Sequence, residues 1–275
     1  MRVFVSGLRK LVGRPASFVT LGLLAGLLVL IIVATAAVST RDPSPAAQAR
    51  ALVLVRFPGA YDLILQFILG LGGLFAVIYG AAIAGSEWGW GTLKNAVARG
   101  ESRTRYLLLT FAAIAVMVAV GLAITFVVGI AAAIVGASIA GVPTTGLTDA
   151  ATLNRMPAQF VRGWFAVVEE ASLGFAIATL ARSQLAGIGA GIAFYFGETF
   201  ARLFLPDIVK YLPFAVAQAS LDTSASGNLG GGPGGGGAAG ITSLPPDTAL
   251  LLVAAWLIGS LLVAVVYTER AEITG

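Results

Sequence analysis

Cysteine and histidine are absent from this chain of 275 residues, and only 11% of its residues are charged. Without cysteine no disulfide framework can form. Without either residue the usual thiolate and imidazole ligands of zinc, copper and haem are missing. Serine–histidine and cysteine–histidine catalysis is excluded on the same ground, and with it intramembrane metalloproteases and rhomboid-type proteases. A soluble domain carries about a quarter charged residues, because its surface must be solvated. Here hydrophobic residues make up 58% of the chain and the mean hydropathy is +0.93, so most of the surface faces lipid. The net charge of +4 is no sign of a nucleic-acid partner, since the basic residues are dispersed among the segments between apolar runs. The chain reads as an integral membrane protein.

A helix needs about 20 apolar residues to cross the hydrocarbon layer. Six runs qualify: 16–38, 63–84, 106–138, 160–180, 186–205 and 248–267. They predict an all-α polytopic membrane protein with six transmembrane helices, a single transmembrane domain over 1–275. The third run has 33 residues and would be about 50 Å long as a helix. It must tilt, protrude or break near Gly121 or Gly129. The first run ends in "ATAAVS", small residues of the kind found at signal-peptide cleavage sites. Its apolar stretch exceeds the ~7–15 residues of a signal core, so it reads as a span.

Orientation follows from the placement of Lys and Arg. With the N-terminus inside, ten cations fall on the cytoplasmic side: Arg2, Arg9, Lys10, Arg14, Lys94, Arg99, Arg103, Arg105, Arg182 and Arg270. Seven fall outside or near outer span ends: Arg41, Arg50, Arg56, Arg155, Arg162, Arg202 and Lys210. The connection 85–105 decides the matter, because four cations there flank two span ends. Both termini are expected in the cytoplasm. Residues 1–14 place Phe4, Leu8, Leu11 and Val12 on one helical face and Arg2, Ser6, Arg9 and Lys10 on the other. That pattern suits a helix lying in the membrane interface as well as a charged flank that only sets topology. Pro15 then fits the first turn of the opening span.

The connection "GSEWGWGTLKNAVARGESRTR" is the most polar part of the first half of the chain. Leu93, Ala96 and Val97 have helical spacing, with Lys94, Asn95 and Arg99 opposite. Thr92 is expected to cap a short helix, Gly100 to stop it, and Ser102 to cap the third span. Trp88 and Trp90 flank this helix. Aromatic residues with arginine anchor protein contacts and equally line membrane interfaces, so a docking surface and a lipid-anchored loop both fit.

The same segment resembles the one in type-2 ABC transporter permeases, in which a Glu precedes a Gly-Thr-Leu-Lys/Arg run and a Ser-Arg follows before the third span. Glu87, Gly91, Thr92, Leu93, Lys94, Ser102 and Arg103 match that pattern. The resemblance covers the whole chain by architecture and about 25 residues by motif. Two departures stand out: Leu109 or Thr110 replaces a basic residue just inside the third span, and Gly100 stands where many members have proline. What the resemblance implies is a cytoplasmic coupling helix seated in a groove of a separate ATP-hydrolysing subunit. Glu87, Trp88, Trp90, Gly91, Thr92, Leu93, Lys94, Val97, Arg99, Ser102 and Arg103 are then the coupling residues. It also implies a second permease copy or paralogue. This chain would carry no cofactor, with ATP and magnesium on the partner. No Gly-x-x-x-x-Gly-Lys-Ser/Thr phosphate loop occurs in the sequence, so an ATP-driven cycle needs that other chain. The Gly-rich tract 227–240 has no lysine and reads as a linker.

Five ionisable residues fall inside expected spans: Arg162, Glu169, Glu170, Glu198 and Arg202. At mid-bilayer such a charge costs roughly 2.5–3.5 kcal/mol, so it faces protein or water. Glu198 and Arg202 are spaced i, i+4 in the favourable order, and Glu169 lies two turns from Arg162. These residues fit ion pairs stapling the fourth and fifth spans, a polar lining for a substrate route, or proton coupling. Gly187 and Gly191 form a small-xxx-small pair suited to close helix approach. Tyr195 and Phe196 are available to an apolar substrate or to the core. Outside, residues 46–57 predict a short helix, and 206–246 an outer loop apolar enough at its start to re-enter the membrane. The leading expectation is a permease subunit of an ABC exporter in a prokaryotic cell membrane, performing no covalent chemistry itself. A secondary transporter driven by an ion gradient, or a membrane scaffold that only recruits a partner, are the alternatives.

Overall fold

The computed structural model describes residues 2–41, 44–221 and 244–271, and no strand occurs among them. The tract 227–240 read as a linker lies outside the described residues. Five helices are long and apolar enough to cross a membrane: Pro15–Arg41, Gly59–Gly89, Arg103–Ile139, Ala150–Ala181 and Pro246–Arg270. The chain therefore has the character of a multi-pass membrane protein.

Helix α1 (Arg2–Val12) precedes α2 (Pro15–Arg41), which begins at the proline as expected. Leu11 is buried and Phe4 packs against the core, whereas Val12 is exposed. Its position next in sequence to Leu11 turns it about 100° away. The face of α1 is thus narrower than the four-residue stripe read from sequence, and it lies on the third long helix. Helix α3 (Pro45–Val55) is capped by the Ser44 hydroxyl and folds back on the end of α2, with Val55 against Ala36 and Ala137. Helix α4 (Gly59–Phe67) passes through one π-turn (Ile68–Gly72) into α5 (Gly73–Gly89).

Helix α6 (Thr92–Ala98) is short, and α7 (Arg103–Ile139) runs 37 residues without interruption. The sequence allowed a break at Gly121 or Gly129, but no break occurs. Gly129 lies under Leu28 and Ile64, so it serves close packing with α2 and α4. At 1.5 Å per residue α7 is about 55 Å long and exceeds the hydrocarbon thickness of about 30 Å. Helix α8 (Ala150–Ala181) begins ten residues before the expected apolar run at 160. Asp149 starts it, accepting from the Thr152 amide (2.9 Å) and hydroxyl (2.6 Å). Those two bonds hold the Asp149 carboxyl below its ordinary range. Helix α9 (Gln184–Ala201) has 18 residues and is not among the five long apolar ones. Two short helices, α10 (Pro206–Val209) and α11 (Pro213–Ala219), precede α12 (Pro246–Arg270).

The centre of the bundle is α5 against α8. The apolar windows of the α4–α5 span and of α8 are 67% and 72% buried, against 22% each for α2 and α12. Glycines make the contact possible: a Cβ at Gly80 would overlap the Ala171 carbonyl, and one at Gly174 the Val77 carbonyl. Helix α9 lies antiparallel along this pair, with Gly187 against Ala178 and Gly191 against Val77. The small-xxx-small pair does serve close approach. Exposed side chains of α2, α7 and α12, such as Phe18, Val127 and Leu251, are the apolar exterior that lipid solvates.

Candidate functional site

Two polar sites interrupt this apolar bundle. The first lies at the end carrying α1 and α6. Glu87, in the last turn of α5, is 6% exposed. Its carboxylate accepts from Lys10 Nζ (2.5 Å) and more distantly from Arg14 (3.5 Å). It also accepts from the hydroxyls of Thr92 and Tyr106, both at 2.5 Å. Arg14 donates to the Ser86 hydroxyl (2.9 Å), which in turn donates to the Ile83 carbonyl (2.8 Å). One carboxylate thereby ties together α1, the α1–α2 joint, α5, α6 and α7. Charge-assisted bonds of this kind are about twice as strong as neutral ones, and they offset the burial of the charge.

Gly91 makes the turn into α6 with φ of +65°, a left-handed conformation that favours glycine. This turn changes the role expected of Thr92. Gly91 is the cap position, Thr92 is the first helical residue, and its hydroxyl turns back to Glu87. Leu93 is buried, Val97 half-buried, and Lys94, Asn95 and Arg99 are exposed. Gly100, with φ of +85°, ends the helix and Ser102 caps α7 by accepting from the Arg105 amide (3.2 Å), both as the sequence predicts.

Of the residues read as coupling residues, several face inward. Arg103 donates to the carbonyls of Thr268 (3.2 Å), Glu269 (3.1 Å) and Ala271 (2.8 Å), satisfying the open end of α12. Thr104 donates its amide to Glu269 (3.1 Å). Trp88 is half-buried beneath the Arg182 guanidinium (5.1 Å), which also donates to Tyr267 (3.0 Å). Trp90 is 66% exposed, with the Arg14 guanidinium 4.9 Å from its ring. The outward set is Trp90, Lys94, Asn95 and Arg99. Sequence reasoning missed that Lys10, Arg14 and Tyr106 hold Glu87. Their cations and hydroxyl had no local partner, and that was the available signal.

The second site lies within α8 and α9. Glu169 and Glu170 are 0% exposed, and their carboxyl oxygens have no hydrogen-bond partner among the described residues. Glu198 accepts from the Phe214 (3.2 Å) and Ala215 (2.6 Å) amides of α11 and lies 3.8 Å from Arg202. Arg162 pairs with Asp247 of α12 at 2.6 Å and donates to the Ser220 carbonyl (3.3 Å). Of the readings left open, the ion pairs stapling the fourth span to the fifth are corrected: Arg162 ties α8 to α12 and Glu198 ties α9 to α11, while the i, i+4 pair of Glu198 with Arg202 is present. Arg162 and Asp247 are 85 positions apart, beyond the reach of spacing arguments. Tyr195 is buried and donates to the Gly70 carbonyl (3.2 Å) of the π-turn, while Phe196 is exposed. Among the described residues no group of three acidic, cysteine or histidine side chains could hold a metal ion.

Residues 46–274 match a family described as "Protein of unknown function (DUF2705)". The chain belongs to that family. Both polar sites fall within the matched range, whereas Lys10 and Arg14, which complete the first, precede it. No curated protein matches the sequence.

Proposed function

We propose that this chain is the transmembrane permease subunit of an ATP-driven ABC exporter. It forms half of a translocation pathway with a second copy or a paralogue, and it couples to a separate ATPase subunit. It sits in a prokaryotic cell membrane with both termini in the cytoplasm. The observation that carries this reading is α6. A seven-residue helix is held from behind by the Glu87 network while Lys94, Asn95, Arg99 and Trp90 face outward. A connection needed only for closure would be a few polar residues. A rigid seat of this kind transmits force between a partner outside the membrane and α5 and α7 within it.

Six crossings are supported by the position of the chain ends. Arg103 at the start of α7 holds the carbonyl of Ala271, and α1 packs on the same part of α7, with Gly7 beside Ala113. With both ends on one side the number of crossings is even, and in this reading α9 supplies the one beyond the five long apolar helices. Its 18 residues span about 27 Å, close to the hydrocarbon thickness.

The test is purification of the full chain in mild detergent with identification of what accompanies it. The expected result is a stoichiometric partner bearing a nucleotide-binding lysine, lost in Lys94→Glu/Arg99→Glu or Ala96→Pro while membrane insertion persists. Retention of that partner by all these variants sinks the role of α6. Its absence after gentle crosslinking sinks the reading as a whole.

A further inference from the structure

Glu169 and Glu170 have no task in docking a motor subunit. They are fully enclosed on α8, and none of their oxygens is hydrogen-bonded among the described residues. Glu170 lies so close to Gly73 that any side chain there would overlap its carboxyl group. Gly73 directly follows the π-turn Ile68–Gly72, and the three glycines 70, 72 and 73 thin the backbone where α8 passes. A π-turn is a local irregularity that often marks a functional position.

The titratable surroundings are sparse. The segments 63–78, 107–139, 213–219 and 249–266 contain no titratable residue. That leaves α5, α7, α11 and α12 without one at this level. From α9 come Glu198, held by the Phe214 and Ala215 amides, and Tyr195, whose hydroxyl donates to the Gly70 carbonyl. Arg202 is engaged with Glu198. Among the described residues no lysine or arginine is paired with either of these two adjacent carboxylates. An isolated ionised carboxylate in an apolar interior costs several kcal/mol, and the group takes up a proton instead. Neighbouring negative charge strengthens that demand. A metal ion would need further donors and space, and the contact with Gly73 leaves no space. A proton needs none.

We propose that Glu169 and Glu170 form a proton-binding site, filled by two protons while α5, α8 and α9 are packed together and emptied when that seam opens to water. On opening, each carboxylic acid O–H breaks, its proton passes to solvent water, and two carboxylates remain. The packed state thus binds more protons than the open one. At pH values above the ordinary carboxyl range of about 4.3, acid favours packing and alkali favours opening. The balance shifts about tenfold per pH unit for each proton. The site stands whether or not a motor subunit docks.

The test is infrared difference spectroscopy on the full chain at neutral pH, reading the carbonyl stretch of protonated carboxylic acids. The expected signal is present in the wild type, reduced in Glu169→Gln and in Glu170→Gln, and reduced further in the double variant. Glutamine mimics the neutral acid, so these proteins should remain folded. Their thermal midpoint should also lose its fall between mildly acidic and alkaline pH. Wild-type protein with isotope-labelled glutamate carries the same test without substitution. Absence of a protonated glutamate band there overturns the proposal. So does a pH dependence of the midpoint that is unchanged in the double variant, or a midpoint governed by sodium or potassium instead of pH.

Discussion

Glu87 and Glu170 are both buried glutamates on helices of one apolar bundle, and they are kept in opposite ways. Glu87 is met by a lysine, an arginine and two hydroxyls drawn from α1, the α1–α2 joint, α6 and α7. Glu170 is met by the backbone at Gly73 and by no hydrogen-bond donor among the described residues. A buried charge is tolerated when its partners are supplied, and a buried acid without partners is tolerated as a neutral group. The first arrangement makes a rigid joint. The second leaves a group whose state changes as soon as water arrives.

The comparison breaks most sharply under one substitution made at both places. Glu87→Met strands Lys10 and Arg14 and frees the hydroxyls of Thr92 and Tyr106, so unfolding free energy should drop by about 3–5 kcal/mol. Thermal or denaturant unfolding of the full chain in detergent measures it. Tyr106→Phe removes a single bond to the charged group and should cost about 1.5–3 kcal/mol in the same assay. Glu170→Met should move the other way, by about 1–3 kcal/mol, since it replaces unsatisfied polar atoms with a side chain of similar size. A loss of stability there would show that Glu170 has a partner. Ser102→Ala should cost about 1 kcal/mol as the loss of one helix cap. It should leave the infrared carboxyl signal untouched, which separates the two sites.

Much of the fold was legible because it depends on neighbours in the chain. Pro15 opening α2, Gly100 closing α6 and Ser102 capping α7 are all decided within about one helical turn. The helix at 45–55 and the close approach at Gly187 and Gly191 followed from composition and spacing. What escaped depends on distance. The continuity of α7 through Gly121 and Gly129 comes from α2 and α4 packing against it. Thr92 looks like a cap in its own segment, yet it serves a carboxylate on the preceding helix. Arg162 has an acid two turns away at Glu169 but pairs with Asp247 of α12.

The sequence by itself determined that this chain is helical and mostly lipid-facing, because apolar run length and the near absence of charge leave the backbone no other way to satisfy its hydrogen bonds in hydrocarbon. It also determined where many of those helices start and stop. Only the tertiary structure decided which of the buried acids is held as a charge and which is left without partners. Lys10 lies 77 positions from Glu87, and Gly73 nearly a hundred from Glu170. A side chain's electrostatic surroundings are set by what the packed helices bring within a few ångströms of it, and no local spacing contains that information.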